Sequence, residues 1–158
     1  MTRQHLSKTD NAAQDEATLE EHVASFLADM HRINRSIAQL INPALEREFD
    51  IDGRLYFMLM QIEAGDIHPG ALAETMRLPK SLISRHVDQL TKKGLIVRQV
   101  EAGDSRRIRL VLTKSGRQVL AAARVLAASL VGGHLKRIPA KEREIVLGAL
   151  GNLARYME

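Results

Sequence analysis

The stretch ISRHVDQLTKKGLIVRQVEAGDSRRIRLVLTKSG, Ile83 to Gly116, changes its periodicity partway along. In its first part Ile83, Val87 and Leu90 recur at i, i+4 and i+7, which is the spacing of one buried face of a helix. At about 100° per residue, Ser81, Arg85, Asp88 and Lys92 then point away from that face, with Ser84 at its margin. Beyond Gly94 the period becomes two. LIVRQV (Leu95 to Val100) and IRLVLT (Ile108 to Thr113) are β-branched-rich runs on either side of the polar connection EAGDSRR, which predicts a hairpin with a basic tip. Thr113 is placed to N-cap a following helix.

Upstream of this stretch, a short helix from Ala71 to Met76, a tight break at Arg77 to Pro79 and a longer helix from about Lys80 to Lys93 give a helix-turn-helix layout. Before it, Leu55, Met58, Leu59 and Ile62 predict a helix closed by Gly65. Further back, Val23, Phe26, Leu27, Met30, Ile33, Ile37, Leu40 and Ile41 recur three and four apart and predict a long amphipathic helix, with Pro43 interrupting or kinking its far end. Downstream, Val119, Leu120, Ala123, Leu126, Ala127, Leu130 and Val131 form an apolar stripe that runs to a break at Gly132-Gly133. A last helix is expected to start with Pro139 at its first position and to bury Ile145, Leu147, Leu150 and Leu153. Four segments follow: a disordered or frayed arm over 1–18, an N-terminal helix over 19–50, a helix-turn-helix and hairpin region over 51–113 and C-terminal helices over 114–158.

The chain has 158 residues, 45% hydrophobic and 27% charged, enough for one domain with an adequate core and incompatible with disorder throughout. No uninterrupted apolar run approaches the roughly 18 residues of a membrane span, and the first sixteen residues lack the apolar core of a secretory signal. A cytoplasmic protein that does not act at a membrane is expected. The absence of cysteine removes disulfides, thiolate metal sites and thiol chemistry. The histidines show neither His-x3-His nor HExxH spacing, and no P-loop, dinucleotide fingerprint or nucleophile elbow occurs. Neither a metal, a cofactor nor an enzyme activity is expected.

The net charge of +4 hides an uneven distribution. Between Arg77 and Arg117 eleven basic residues face three acidic ones, a local +8, so the remainder carries −4. A basic segment in an acidic protein predicts a surface for a polyanion. Ser81, Ser84 and Arg85 near the amino end of the second helix suit a DNA major groove, where hydroxyls bond base edges or phosphates and Arg reads guanine. Lys80, Lys92 and Lys93 are candidates for phosphate neutralisation. Arg106 and Arg107, with Arg109, sit on the hairpin, and an extended arm with Arg at its tip can enter a minor groove. Asp104, two residues from Arg106, is assigned an orienting role through a charge-assisted bond rather than a base contact.

In order and spacing these residues resemble the MarR (multiple antibiotic resistance) regulators. Ser84, Arg85, Val87, Asp88, Leu90 and Gly94 carry the likeness to that family's recognition helix. Asp104, Arg106, Leu110, Leu112, Thr113 and Gly116 carry the likeness to its wing. The resemblance implies a mainly α fold: a winged helix-turn-helix with a two-stranded β wing, and N- and C-terminal helices forming a dimerisation region. It also implies a homodimeric regulator, most often a repressor, that binds a pseudo-palindromic operator in double-stranded DNA and is released by a phenolic or lipophilic effector. An activator of the same fold, or a winged-helix module that docks an acidic protein, are the alternatives. The chain departs from the family's pattern at Leu78-Pro79, where many members have a polar N-cap and where this helix is expected to begin at Pro79. It departs again at His86, which replaces a usual apolar residue. Having neither Trp nor Cys, it lacks the tryptophan-containing urate pocket and the hydroperoxide-sensing thiol of some relatives.

Met30, Met58, Met60 and Met76, with Tyr56 and Phe57, are either core filler or the lining of an effector pocket. Arg54, Tyr56 and His68 are the candidates for that pocket's polar contacts.

Overall fold

The structure, a computed structural model, describes residues 4–65, 68–101 and 104–157, and the side chains of 18–65, 68–101 and 107–157. In chain order the elements are α1 (Gln4–Phe49), α2 (Gly53–Ala64), α3 (Pro69–Thr75), α4 (Lys80–Lys92), β1 (Ile96–Glu101), β2 (Asp104–Leu112), α5 (Lys114–Leu135) and α6 (Ala140–Tyr156). The fold is mainly helical, with one antiparallel pair of strands as the wing, as expected. The chain divides into two compact units, Met1–Gln39 and Leu40–Glu158.

In the first unit α1 is already helical at Gln4, where a disordered or frayed arm over 1–18 is expected from its polar character. Helix formation needs no apolar stripe. Neither Gly nor Pro occurs among residues 4–39, and Ala, Gln and Glu, which recur through its first turns, are good helix formers. Leu19, Val23, Phe26, Leu27, Ile33 and Ile37 are all exposed on it.

In the second unit α1 continues through Pro43 without interruption to Phe49. It ends at Asp50, whose φ of 54° is left-handed, a conformation a short polar side chain tolerates better than most. Asp52 caps α2, its Oδ1 accepting from the Leu55 amide at 2.8 Å. The core gathers Met58 and Leu59 of α2, Leu72 of α3, Ile83, Val87 and Leu90 of α4, Ile96 and Leu110 of the wing and Leu120 of α5, none more than 1% exposed. Each such side chain contributes roughly 1.5–3 kcal/mol relative to solvent. Ile83, Val87 and Leu90 are thus buried as their spacing predicts.

The turn between α3 and α4 is a Schellman motif. The Leu78 amide donates to the Ala73 carbonyl and the Arg77 amide to the Glu74 carbonyl, both at 3.1 Å. It needs a left-handed residue and uses Arg77, at φ 49°, where glycine is usual. The same motif ends α4: Gly94, at φ 68°, donates to the Thr91 carbonyl and Leu95 to that of Leu90, both at 3.0 Å. Leu95 is thereby turned into the core, and β1 starts in a fixed direction.

The wing pairs Ile96 with Leu112, Arg98 with Leu110 and Val100 with Ile108, and the register shifts between Val100 and Glu101. Thr113 N-caps α5 as expected, its Oγ1 accepting from the Gly116 amide at 2.9 Å while donating to the Gly94 carbonyl at 2.7 Å.

Several expectations are corrected. Pro79 and Pro139 are the N-caps of α4 and α6, with extended ψ of 142°, rather than first helical residues. Proline's fixed φ suits either position, because it is ψ that separates the two. Gly132-Gly133 does not break α5, which runs on to Leu135. Two glycines each weaken a helix by about 1 kcal/mol relative to alanine, but their amides still donate. Ile145, Leu147 and Leu150 are exposed rather than buried, and α6 holds no buried residue. By length and composition α5 would suffice to cross a bilayer, although no single apolar run in it would. It is tied instead into the domain: Leu120 and Ala123 are buried, and Arg124 pairs with Glu63 of α2 at 2.6 Å.

Candidate nucleic-acid interface

Burying Ile83, Val87 and Leu90 forces the opposite face of α4 outward. Lys80, Ser81, Ser84, Arg85, Asp88 and Lys92 are all exposed there. On β2, Leu110 and Leu112 turn into the core, so strand alternation puts Arg107 and Arg109 on the other face, where both are exposed. Asp104 and Arg106 lie on β2, but their side chains, and so the proposed bond between them, fall outside the described residues.

α4 and the wing share one surface. Lys80, Ser84 and Val87 of α4, Arg98 of β1, Ile108 of β2 and Pro69 and Gly70 of α3 line a single open groove of about 420 Å³. A charged bond joins the two elements, since Arg98 Nη2 of β1 donates to Asp88 Oδ1 of α4 at 2.6 Å. Both groups are partly exposed, so this pair adds little stability. Its consequence is geometric: it fixes β1 to the outward face of α4 and neutralises the one acid on that face. Sequence periodicity points Asp88 outward but gives no sign of a partner ten residues on.

Lys93 is not available as a phosphate contact in the way Lys92 is, because its Nζ pairs with Asp50, 43 residues away. His86 is 6% exposed; its Nδ1 donates to Gln89 Oε1 at 3.1 Å, and its Nε2 has no partner among the described residues. The chain therefore accommodates a polar ring at a core position of α4.

The three effector-pocket candidates are not brought together. Arg54 is exposed on α2, and Tyr56 is half-buried against the core. His68 turns to the wing, its Nδ1 donating to the Ile108 carbonyl at 3.1 Å. None of the three lines the groove. Met58 is fully buried core, and Met60 and Met76 are packed on that core.

A helix-turn-helix whose second helix runs directly into a two-stranded antiparallel wing defines the winged helix-turn-helix class. Residues 49–107 match the model of the MarR family. The chain is 23% identical over 136 residues to an uncharacterized HTH-type transcriptional regulator, YdgJ, of Bacillus subtilis, covering 83% of this chain and 82% of that one. It shares its fold with the transcriptional regulator BldR from Sulfolobus solfataricus (TM-score 0.72, 24% identity, 85% of this chain and 96% of the other). It shares it also with a mutant MarR from E. coli complexed with operator DNA (TM-score 0.70, 22% identity, 84% and 95%). The matched family model and the Bacillus relative are both described as those of regulators.

Proposed function

We propose that this chain is a cytoplasmic homodimeric repressor that reads an inverted-repeat operator in double-stranded DNA. The observation that carries this reading is the shared groove, which Lys80 and Ser84 of α4 and Arg98 of the wing line together beside the exposed Arg85 and Lys92. In it α4 enters the major groove, Ser81, Ser84 and Arg85 meet base edges or phosphates, and Lys80 and Lys92 neutralise phosphates. Arg106 and Arg107 extend the wing toward the adjacent minor groove, with Asp104 orienting Arg106. A two-fold dimer sets two such helices roughly 34 Å apart, one turn of DNA.

The reading is tested by genomic DNA selection with the purified protein, followed by competition of the best site against scrambled duplex across salt concentrations. An enriched inverted repeat preferred by about a thousandfold is expected. Equal, salt-sensitive binding to both duplexes would overturn it. Two substitutions divide the surface. Arg106→Ala should cost about 1–3 kcal/mol of affinity and relax preference at one position. Lys92→Ala should weaken all sequences alike and lower the salt slope by about 1, and a selective loss at one base pair would contradict its phosphate role.

The second part of the reading is release by a phenolic or lipophilic effector. The groove supports it better than Arg54, Tyr56 or His68 does, since Lys80 and Arg98 stand over an apolar floor of Pro69, Val87 and Ile108. A ligand that binds better to the DNA-free form must lower operator affinity. Titrating a phenolic carboxylate into the protein–operator complex checks this, and undiminished occupancy at saturation would remove it.

A further inference from the structure

We propose that His68 is a positioning residue that holds the wing at a fixed angle to the helix-turn-helix; its consequence for DNA rests on the reading above, its structural role does not. His68 is the N-cap of α3, with extended backbone at φ −104° and ψ 138°, yet its side chain makes no capping bond. Pro69 follows at the first position of the helix, where a missing amide costs nothing. The ring is spent on the wing instead.

Nδ1 donates to the backbone carbonyl of Ile108 on β2 at 3.1 Å, and Nε2 stands 3.5 Å from Glu101 Oε1 on β1. A carbonyl oxygen carries no proton, so the Nδ1 hydrogen is fixed by this partner. The bond to β2 is therefore the tie in the neutral ring, and Nε2 bonds the Glu101 carboxylate of β1 only when it carries a second proton. The ring sits where the strands most need holding, because the register shifts between Val100 and Glu101 and a bulge locally disrupts the ladder. A two-stranded ribbon is marginal without packing against another element. The other end of the tie is rigid: Leu72 of α3 is fully buried, and the Schellman bonds from Arg77 and Leu78 fix its far end. The Arg98–Asp88 bond pins the wing nearer its base, and His68 pins it farther out. With two separated points held, the wing cannot pivot about either one.

Thr at position 68 separates the two roles, since its hydroxyl caps helices well and is too short to reach the wing. In DNA-free His68→Thr, amide hydrogen exchange over 98–101 and 107–109 should accelerate by about fivefold to tenfold, the value of one ordinary hydrogen bond. The thermal midpoint and the exchange of α4 amides should stay as they are. Unchanged wing exchange would overturn the proposal whatever the protein binds. Affinity for the duplex recovered by genomic selection should fall by a similar factor, and this loss should vanish in an Arg106→Ala background, since both act through the wing. Faster wing exchange with unaltered affinity would keep the tie and overturn the wing's part in DNA binding. An equal, additive loss in the Arg106→Ala background would overturn the claim that His68 acts through the wing.

Discussion

Gly116→Ala is expected to lower the stability of the domain by about 3 kcal/mol, the upper end of what overpacking a tight site costs. A Cβ at position 116 would lie 1.9 Å from the Leu95 carbonyl oxygen and 2.9 Å from its carbon. Both are backbone atoms, and this oxygen is already held. It accepts from the Thr113 amide at 3.0 Å, and the Thr113 hydroxyl, whose proton goes mainly to the Gly94 carbonyl, lies 3.2 Å away. Thr113 in turn caps α5 through the Gly116 amide. The new methyl group must therefore push the start of β1 away from α5, breaking the cap and the wing base together. For a chain of this length each kcal/mol moves the midpoint by about 2–4 °C, so thermal denaturation should show a fall of roughly 6–12 °C. A midpoint within about 1 °C of the parent would mean that the strand and helix separate freely and that this junction is not a fixed one.

The same junction shows how far the sequence could be read. Thr113 was legible as a cap because a cap depends on residues three apart, and Gly94 as a helix end because the period changes there. Gly116 belongs to the wing likeness, but its reason, the close approach of Leu95 twenty-one residues earlier, is a property of the folded backbone. The ties that complete the site are of this long-range kind. His68 reaches Ile108 across 40 residues and Lys93 reaches Asp50 across 43. Periodicity assigns a face to each of these side chains and gives no partner. From periodicity and charge alone, His68 and Lys93 carry no sign of these two ties. Arg77 presents the opposite case, since a left-handed arginine violates local preference and only the buried elements on either side, anchored by Leu72 and Ile83, impose it. The outward face of α4 is legible for a plain reason: once Ile83, Val87 and Leu90 are buried, helix geometry leaves Ser81, Arg85 and Lys92 nowhere else to point.

Periodicity marks Ile145, Leu147 and Leu150 of α6 for burial, but nothing in the single chain covers them. Ile145, Val146, Leu147 and Leu150 are 40–62% exposed in the single chain. A helix with such a face and no buried residue needs a second surface, and a second copy of the chain is what the two-half-site reading supplies. The double substitution Leu147→Asp, Leu150→Asp places charges at i and i+3 on that face. On a surface open to water they should change stability by less than about 0.5 kcal/mol. At a two-fold interface each appears twice, and four carboxylates would have to leave water. Sedimentation equilibrium should then give the monomer mass where the parent gives twice that. Affinity for the inverted repeat should fall by about 10²–10⁴, the loss of linked binding to two half-sites, while affinity for an isolated half-site should be kept. Circular dichroism separates this from unfolding, which matters because subunits of obligate dimers often do not fold alone. A variant that remains dimeric and binds the repeat as the parent does would show that α6 is not the interface. The two recognition helices would then have to be spaced by other parts of the chain.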